Sequence, residues 1–142
     1  MPGNYILVGH KPVLEPNQMK FAEWWAKADR QVRRTQIRKG VEVSTVFLGH
    51  DHNFGDHGPP VLFETMIFGG SKDEEFQVRS CTWGEALAAH REAILVSCGA
   101  EGVPPSEVRD VPSPRRQAIE KAREGEPPAP TWHERLMKDD DD

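Results

Sequence analysis

The sequence predicts an α+β domain: a four- to five-stranded, mainly antiparallel sheet with two helices packed on one face, followed by a flexible Pro-rich C-terminal tail. Three observations carry this. Apolar, β-branched segments flank a Gly-containing break at Arg38-Lys39-Gly40. Two stretches with apolar residues three and four apart each open on a capping residue. From Pro104 onward, prolines interrupt every longer element.

Taken in order, Tyr5-Ile6-Leu7-Val8 reads as a first strand closed by Gly9, and residues 11–16 as a connection. Asn17 caps a helix whose Phe21, Trp24, Trp25, Ala28 and Val32 share one face. Residues 31–37 and 41–48 form the arms of a hairpin. Residues 61–68 and 75–80 supply two more strands, the first closed by Gly69-Gly70. Thr82 and Glu85 fit a capping box, opening a helix that runs to about Ser97 and stops near Gly99, with Trp83, Leu87, His90 and Ile94 on one stripe. The expected order is β-α-β-β-β-β-α, with a compact domain over 1–100. Residues 101–142 are then a tail with a short amphipathic helix at 132–138, introduced by Thr131 and Glu134.

The strands at 41–48 and 61–68 are apolar on both faces: Val43, Phe47, Phe63 and Ile67 on one, Val46, Leu48, Leu62, Met66 and Phe68 on the other. A sheet covered on one side alternates more cleanly, so a homodimer, the tail or a bound protein partner is expected over the second face.

The formal net charge of −5 owes four charges to the terminal run Asp139–Asp142, and the remainder is close to neutral. Net charge therefore gives no strong nucleic-acid signal. The longest apolar runs fall far below the roughly 20 residues that span a bilayer. No membrane association is expected, and the N-terminus lacks the basic flank of a signal peptide. Cys81 and Cys98 stand in no ligand spacing and make no disulfide framework, which suits a reducing cytoplasm. Walker A, GxGxxG, GxSxG, HExxH and CxxC patterns are missing, which argues against the commonest enzyme classes.

Candidate chemistry falls into four groups. In the loop at 50–57, Asp51, His52 and His57 are candidate ligands for a divalent metal, the alternative being a solvated turn in which Asp51 and Asn53 bond the local backbone. Glu64 lies mid-strand among large apolar residues, so it is either a general base with a raised pKa or the ion-pair partner of an arginine on a neighbouring strand, such as Arg79. His90, on the apolar stripe of the second helix, is either a catalytic or ligand group or a satisfied core histidine. Arg30, Arg33, Arg34, Arg38 and Lys39 form a local basic patch; on a strand, Arg34 and Arg38 share one face and Arg33 takes the other. Arg34, Arg38 and Arg79 are accordingly the candidate contacts for an anionic ligand.

Val43-Ser44-Thr45-Val46-Phe47-Leu48-Gly49, Asp51-His52-Asn53-Phe54, Leu62-Phe63-Glu64-Thr65-Met66-Ile67-Phe68-Gly69-Gly70, then Arg79, Thr82-Trp83 and His90, together resemble a family of small uncharacterised phage and prophage proteins. The resemblance covers about residues 5–97. It implies a phage-encoded accessory protein acting in the bacterial cytoplasm. In that pattern an apolar residue usually precedes Asp51-His52, where this chain has His50, so Asp51 and His52 are the better pair.

Two functions from different classes follow. One is a non-catalytic binding module that engages a host or phage protein or an anionic small molecule, with no cofactor. The other is a small metal-dependent hydrolase using Asp51, His52 and His57 as ligands and Glu64 as base.

Overall fold

A computed structural model describes residues 3–55 and 57–125. The chain begins with a hairpin, β1 (Tyr5–Val8) and β2 (Lys11–Leu14), whose two-residue turn places Gly9 at a positive φ. Residues 11–14 are thus a strand rather than a connection. Pro12 is tolerated because this is a two-stranded ribbon in which its missing N–H faces no further strand. The hairpin is tied to the end of the main sheet by Tyr5 N–H on the Gly49 carbonyl at 2.7 Å and Asp51 N–H on the Gly3 carbonyl at 3.0 Å.

Helix α1 (Gln18–Lys27) starts where Asn17 Oδ1 accepts from Lys20 N–H, as a cap should. Then come β3 (Gln31–Arg38), β4 (Val41–Phe47), β5 (Phe63–Phe68) and β6 (Gln77–Ser80), each antiparallel to the next. Helix α2 (Trp83–Glu101) opens on Thr82, whose hydroxyl accepts from Glu85 N–H, and ends on Gly102 in the left-handed conformation. It runs two residues past the expected stop because Gly99 lies on its exposed side and interrupts no packing.

The expected tail is structured over part of its length. After a 3-10 turn at Pro105–Glu107, β7 (Arg109–Asp110) pairs with β3 and completes a five-stranded sheet of order β6-β5-β4-β3-β7. Val103 and Val108 pack on the core, which gives this stretch the apolar anchors needed to hold it. A third helix, α3 (Pro114–Glu124), follows on the Ser113 cap. The helix expected at 132–138 lies outside the described residues.

Alternation is clean in the central strands. Val41, Val43, Thr45 and Phe47 of β4, and Phe63, Thr65 and Ile67 of β5, are buried against α2. α2 meets them with His90 and with Ala86, Ala89, Ala93 and Ser97, small residues that let the helix lie close to the sheet. A second cluster joins Phe47, Leu62 and Phe63 to the hairpin and to Trp24, whose ring meets Phe47 edge-on at 5.8 Å.

The opposite face of the sheet is not the apolar surface expected. Leu62 turns into the core, and Val46 and Met66 are only half-buried among Gln31, Arg34, Glu42, Glu64 and Arg79. Ion pairs and amide hydrogen bonds link neighbouring strands across that face, and the segment after β7 reaches it where Arg34 bonds the Pro112 carbonyl and Gln117 Oε1. Gly69 is fixed by contact: at φ +85° its missing side chain leaves room for the Gly40 carbonyl, where the two hairpin turns meet.

Candidate functional site

Each sequence candidate has a definite place. Glu64 faces away from α2, directly across from Arg79 in the β5–β6 register. Its carboxylate accepts from Arg79 Nε and Gln77 Nε2, both at 3.0 Å. Burial would raise its pKa, but those two hydrogen bonds, the Arg79 charge and His52 outweigh burial and hold it below the ordinary carboxylate value. Glu64 is thus the partner in an interstrand ion pair, with a pKa displaced opposite to what a general base requires.

His90 lies on the other side of the sheet, so the two cannot share a site. It is fully buried, and both ring nitrogens are engaged: Nε2 with Thr35 Oγ1 at 2.8 Å, Nδ1 with Thr45 Oγ1 at 2.7 Å. Thr45 in turn meets Thr65, its cross-strand partner, at 2.7 Å, and Thr35 donates to Asp110 Oδ1 at 2.5 Å. Donor directions follow from the charges. Burial pushes against ionisation of Asp110, but hydrogen bonds from Thr35 and Arg33 and the Arg33 charge hold its pKa low, so its carboxylate only accepts. Thr35 must then spend its proton on Asp110 and accept from His90 Nε2–H. Burial, reinforced by Arg33 and opposed by Asp110, lowers His90 to about 4, so the ring is neutral and Nδ1 accepts from Thr45. Thr45 finally accepts from Thr65. Every proton in the chain Thr65–Thr45–His90–Thr35–Asp110 has one acceptor, which describes a satisfied structural network.

In the loop at 49–60, Asp51 Oδ1 accepts the backbone N–H of Asn53 and of Val61, both at 2.8 Å. Asn53 Nδ2 donates to the carbonyls of His57 and Pro59 at 3.0 Å. These bonds shape the turn, as Asx side chains do. His52 Nδ1 donates to the His50 carbonyl, which leaves its Nε2 uncommitted. Among the described residues, no three His, Cys, Asp or Glu side chains are grouped as a metal would require, so Asp51, His52 and His57 are not brought together.

Arg34 lies on the outer face and Arg33 on the inner one, as expected from alternation, but a register shift after Gln36 sets Arg38 opposite the buried Val41, where it reaches Glu101 at the end of α2. Each is neutralised. Arg34 pairs with Glu42 at 2.8 Å, Arg38 with Glu101 at 3.3 Å, Arg33 with Asp110 at 3.1 Å and Arg79 with Glu64 at 3.0 Å. The predicted anion contacts are committed to the protein's own carboxylates.

Two arginines without carboxylate partners among the described residues meet elsewhere. A cleft of about 540 Å³ opens where the end of α1, the start of β3, the end of β4 and the start of α3 meet. Trp25, Val46 and Leu48 form its apolar wall, and Arg30, His52 and Arg115 its polar rim. The Arg30 guanidinium lies over the Trp25 ring, 3.6 Å from its centre, and Gly49, at φ +73°, leaves the space that this indole fills. Neither Arg30 nor Arg115 has a carboxylate within ion-pair distance among the described residues. Asp29, the acid of the cleft, is occupied by Ser113 Oγ at 2.5 Å and Gln31 N–H at 3.1 Å. Sequence reasoning placed Arg30 in the basic patch, Trp25 on a core-facing stripe and Arg115 in the tail. Trp25 and Arg30 stand five positions apart across the helix end, which is the one local signal.

No protein-family model, curated protein or solved structure matches the chain. Among the described residues no helix is long and apolar enough to cross a membrane.

Proposed function

We propose that the protein is a non-catalytic binding module, a phage-encoded accessory protein of the bacterial cytoplasm, that holds an anionic small molecule in the cleft beside Trp25 and Arg30. The observation that carries this reading is the distribution of charge. The sheet arginines 33, 34, 38 and 79 are all paired, whereas Arg30 and Arg115 line an apolar-walled cleft of ligand size with no carboxylate partner among the described residues. Glu64 and His90 are both spent on structure, which favours binding over hydrolysis.

The test is a fluorescence titration of the full chain with small organic anions and their neutral counterparts. Trp25 under Arg30 is the reporter. Binding is expected for anions, weaker at high salt and lost in Arg30→Ala, whose stability falls by no more than about 1 kcal/mol. A panel in which no anion binds, or in which neutral analogues bind equally, would refute the proposal.

A second reading has one observation in its favour. Phe54 is 71% exposed on the loop beside the cleft, its ring 5.9 Å from that of His52. An acidic surface of a host or phage protein would then place a carboxylate in the cleft and an apolar group on Phe54. Such binding would be lost in Phe54→Ala, whereas small-anion binding would persist.

A further inference from the structure

We infer that the cleft takes a mononucleotide, phosphate toward Arg30 and Arg115 and base against the apolar wall, with little discrimination between bases; this rests on the anion-binding reading above. The polar rim is suited to a phosphate rather than a single carboxylate. Two guanidinium groups offer forked donors, Nη1 of Arg115 being shared with the Ala26 carbonyl at 3.3 Å, while His52, its Nδ1–H spent on the His50 carbonyl, presents Nε2 as an acceptor. A terminal phosphate has three oxygens to share between the two guanidinium forks and carries close to two negative charges at neutral pH.

The wall is suited to a flat ring. One face of the Arg30 guanidinium lies on the Trp25 indole, so the opposite face is the one left for a ligand, and guanidinium planes stack on bases. Val46, Leu48 and Pro114 supply apolar contact beside it. At about 540 Å³ the cleft is within the roughly 300–1,000 Å³ range of small-molecule sites.

Base edges find few readers. Gln31, the amide in the cleft, has no donor to spare: the two hydrogens of its Nε2 are shared among the Arg33 carbonyl, the Thr45 carbonyl and Ser44 Oγ, all at 2.9 Å. The Asp29 carboxylate is likewise occupied. Stacking without edge readout tolerates any base.

Calorimetric titration of the full chain with AMP, GMP, UMP, adenosine and inorganic phosphate tests this. AMP is expected to bind at least tenfold more tightly than adenosine or phosphate alone, with GMP and UMP within about fivefold of AMP. Arg115→Ala should weaken AMP about tenfold and leave adenosine unchanged. Equal affinity for AMP and adenosine would overturn the phosphate contact, and equal affinity for AMP and phosphate would overturn the ring contact. Binding of a carboxylate such as benzoate, lost in Arg30→Ala but with no nucleotide bound, would overturn this inference and leave the anion-binding reading intact. Absence of binding by every anion would remove both.

Discussion

The two faces of the sheet treat polar groups in opposite ways. Against α2, Thr35, Thr45, Thr65 and His90 are sealed from water as one network in which each proton has an acceptor, beside two buried serine hydroxyls, Ser80 and Ser97, that have no partner among the described residues. On the outer side, charge is arranged in exposed or half-buried pairs, Arg109 bonds the Gln36 amide, and at one end Arg30 and Arg115 border the cleft without carboxylates among the described residues. A titratable group in a core is not by itself a sign of chemistry. Where every donor is matched, the group holds the fold; a site shows as charge the protein has not compensated.

The sharpest way to break this comparison is to remove the centre of the buried network. His90→Ala should cost about 3–5 kcal/mol, because it opens a cavity under α2 and leaves the Thr35 and Thr45 hydroxyls without their partner. Urea unfolding measures it. A loss below about 1 kcal/mol would mean that the network is not what joins α2 to the sheet.

Acid should act through the same residue. The pKa of His90 falls from 6.5 to about 4 on folding, so between those values the unfolded chain binds a proton that the native chain does not. Stability contributed by the neutral ring is present above pH 6.5 and lost as pH falls toward 4, by about 3 kcal/mol in all. Glu64 and Asp110, both lowered, add stability that is present above their ordinary pKa values and lost as pH falls through their folded ones, so their loss extends to lower pH. Unfolding free energies at pH 7 and pH 4.5 should therefore differ in the native sequence and differ less in His90→Ala. Equal pH dependence in the two proteins would remove His90 as the source.

The direction of the hydrogen bonds makes a finer distinction. Thr45→Val deprives His90 Nδ1 of its donor and Thr65 of its acceptor, and should cost about 2 kcal/mol. Thr65→Val removes only a donor from the end of the chain, and should cost about 1 kcal/mol or less. The same unfolding experiment ranks them, and the reverse order would mean that the protons point the other way.

Much of the fold was legible because it is written in short-range signals. The caps at Asn17 and Thr82, the Gly40 turn and the alternation through β4 and β5 each act over a few residues. The Glu64–Arg79 pair was readable for the same reason, since register between adjacent strands puts them opposite. Elements held by distant partners were not. β7 is two residues long and exists because Thr35 and Gln36 accept it as a neighbour more than 70 positions away. Pro12 and the prolines after 104 mark breaks equally well whether the chain then leaves the domain or returns to it. The cleft was hidden for the same reason: it draws Trp25, Arg30, His52 and Arg115 from four segments, and proximity between segments has no local signature.

The smallest effect divides committed from uncommitted charge. Arg79→Ala leaves Glu64 with Gln77 as its remaining hydrogen-bond partner, and should cost about 0.5–1 kcal/mol, since a pair that is partly exposed is screened by water. Arg30→Ala loses a guanidinium stacked on an indole and should cost about as little. Stability alone would not tell the two arginines apart. Ligand titration should: Arg79→Ala is expected to bind anions as the native chain does, because that guanidinium is already neutralised by Glu64, whereas Arg30→Ala is expected to lose them. Equal losses in both variants would mean that the ligand responds to the overall positive field of this face, and pairing within the sheet would no longer mark where the site is.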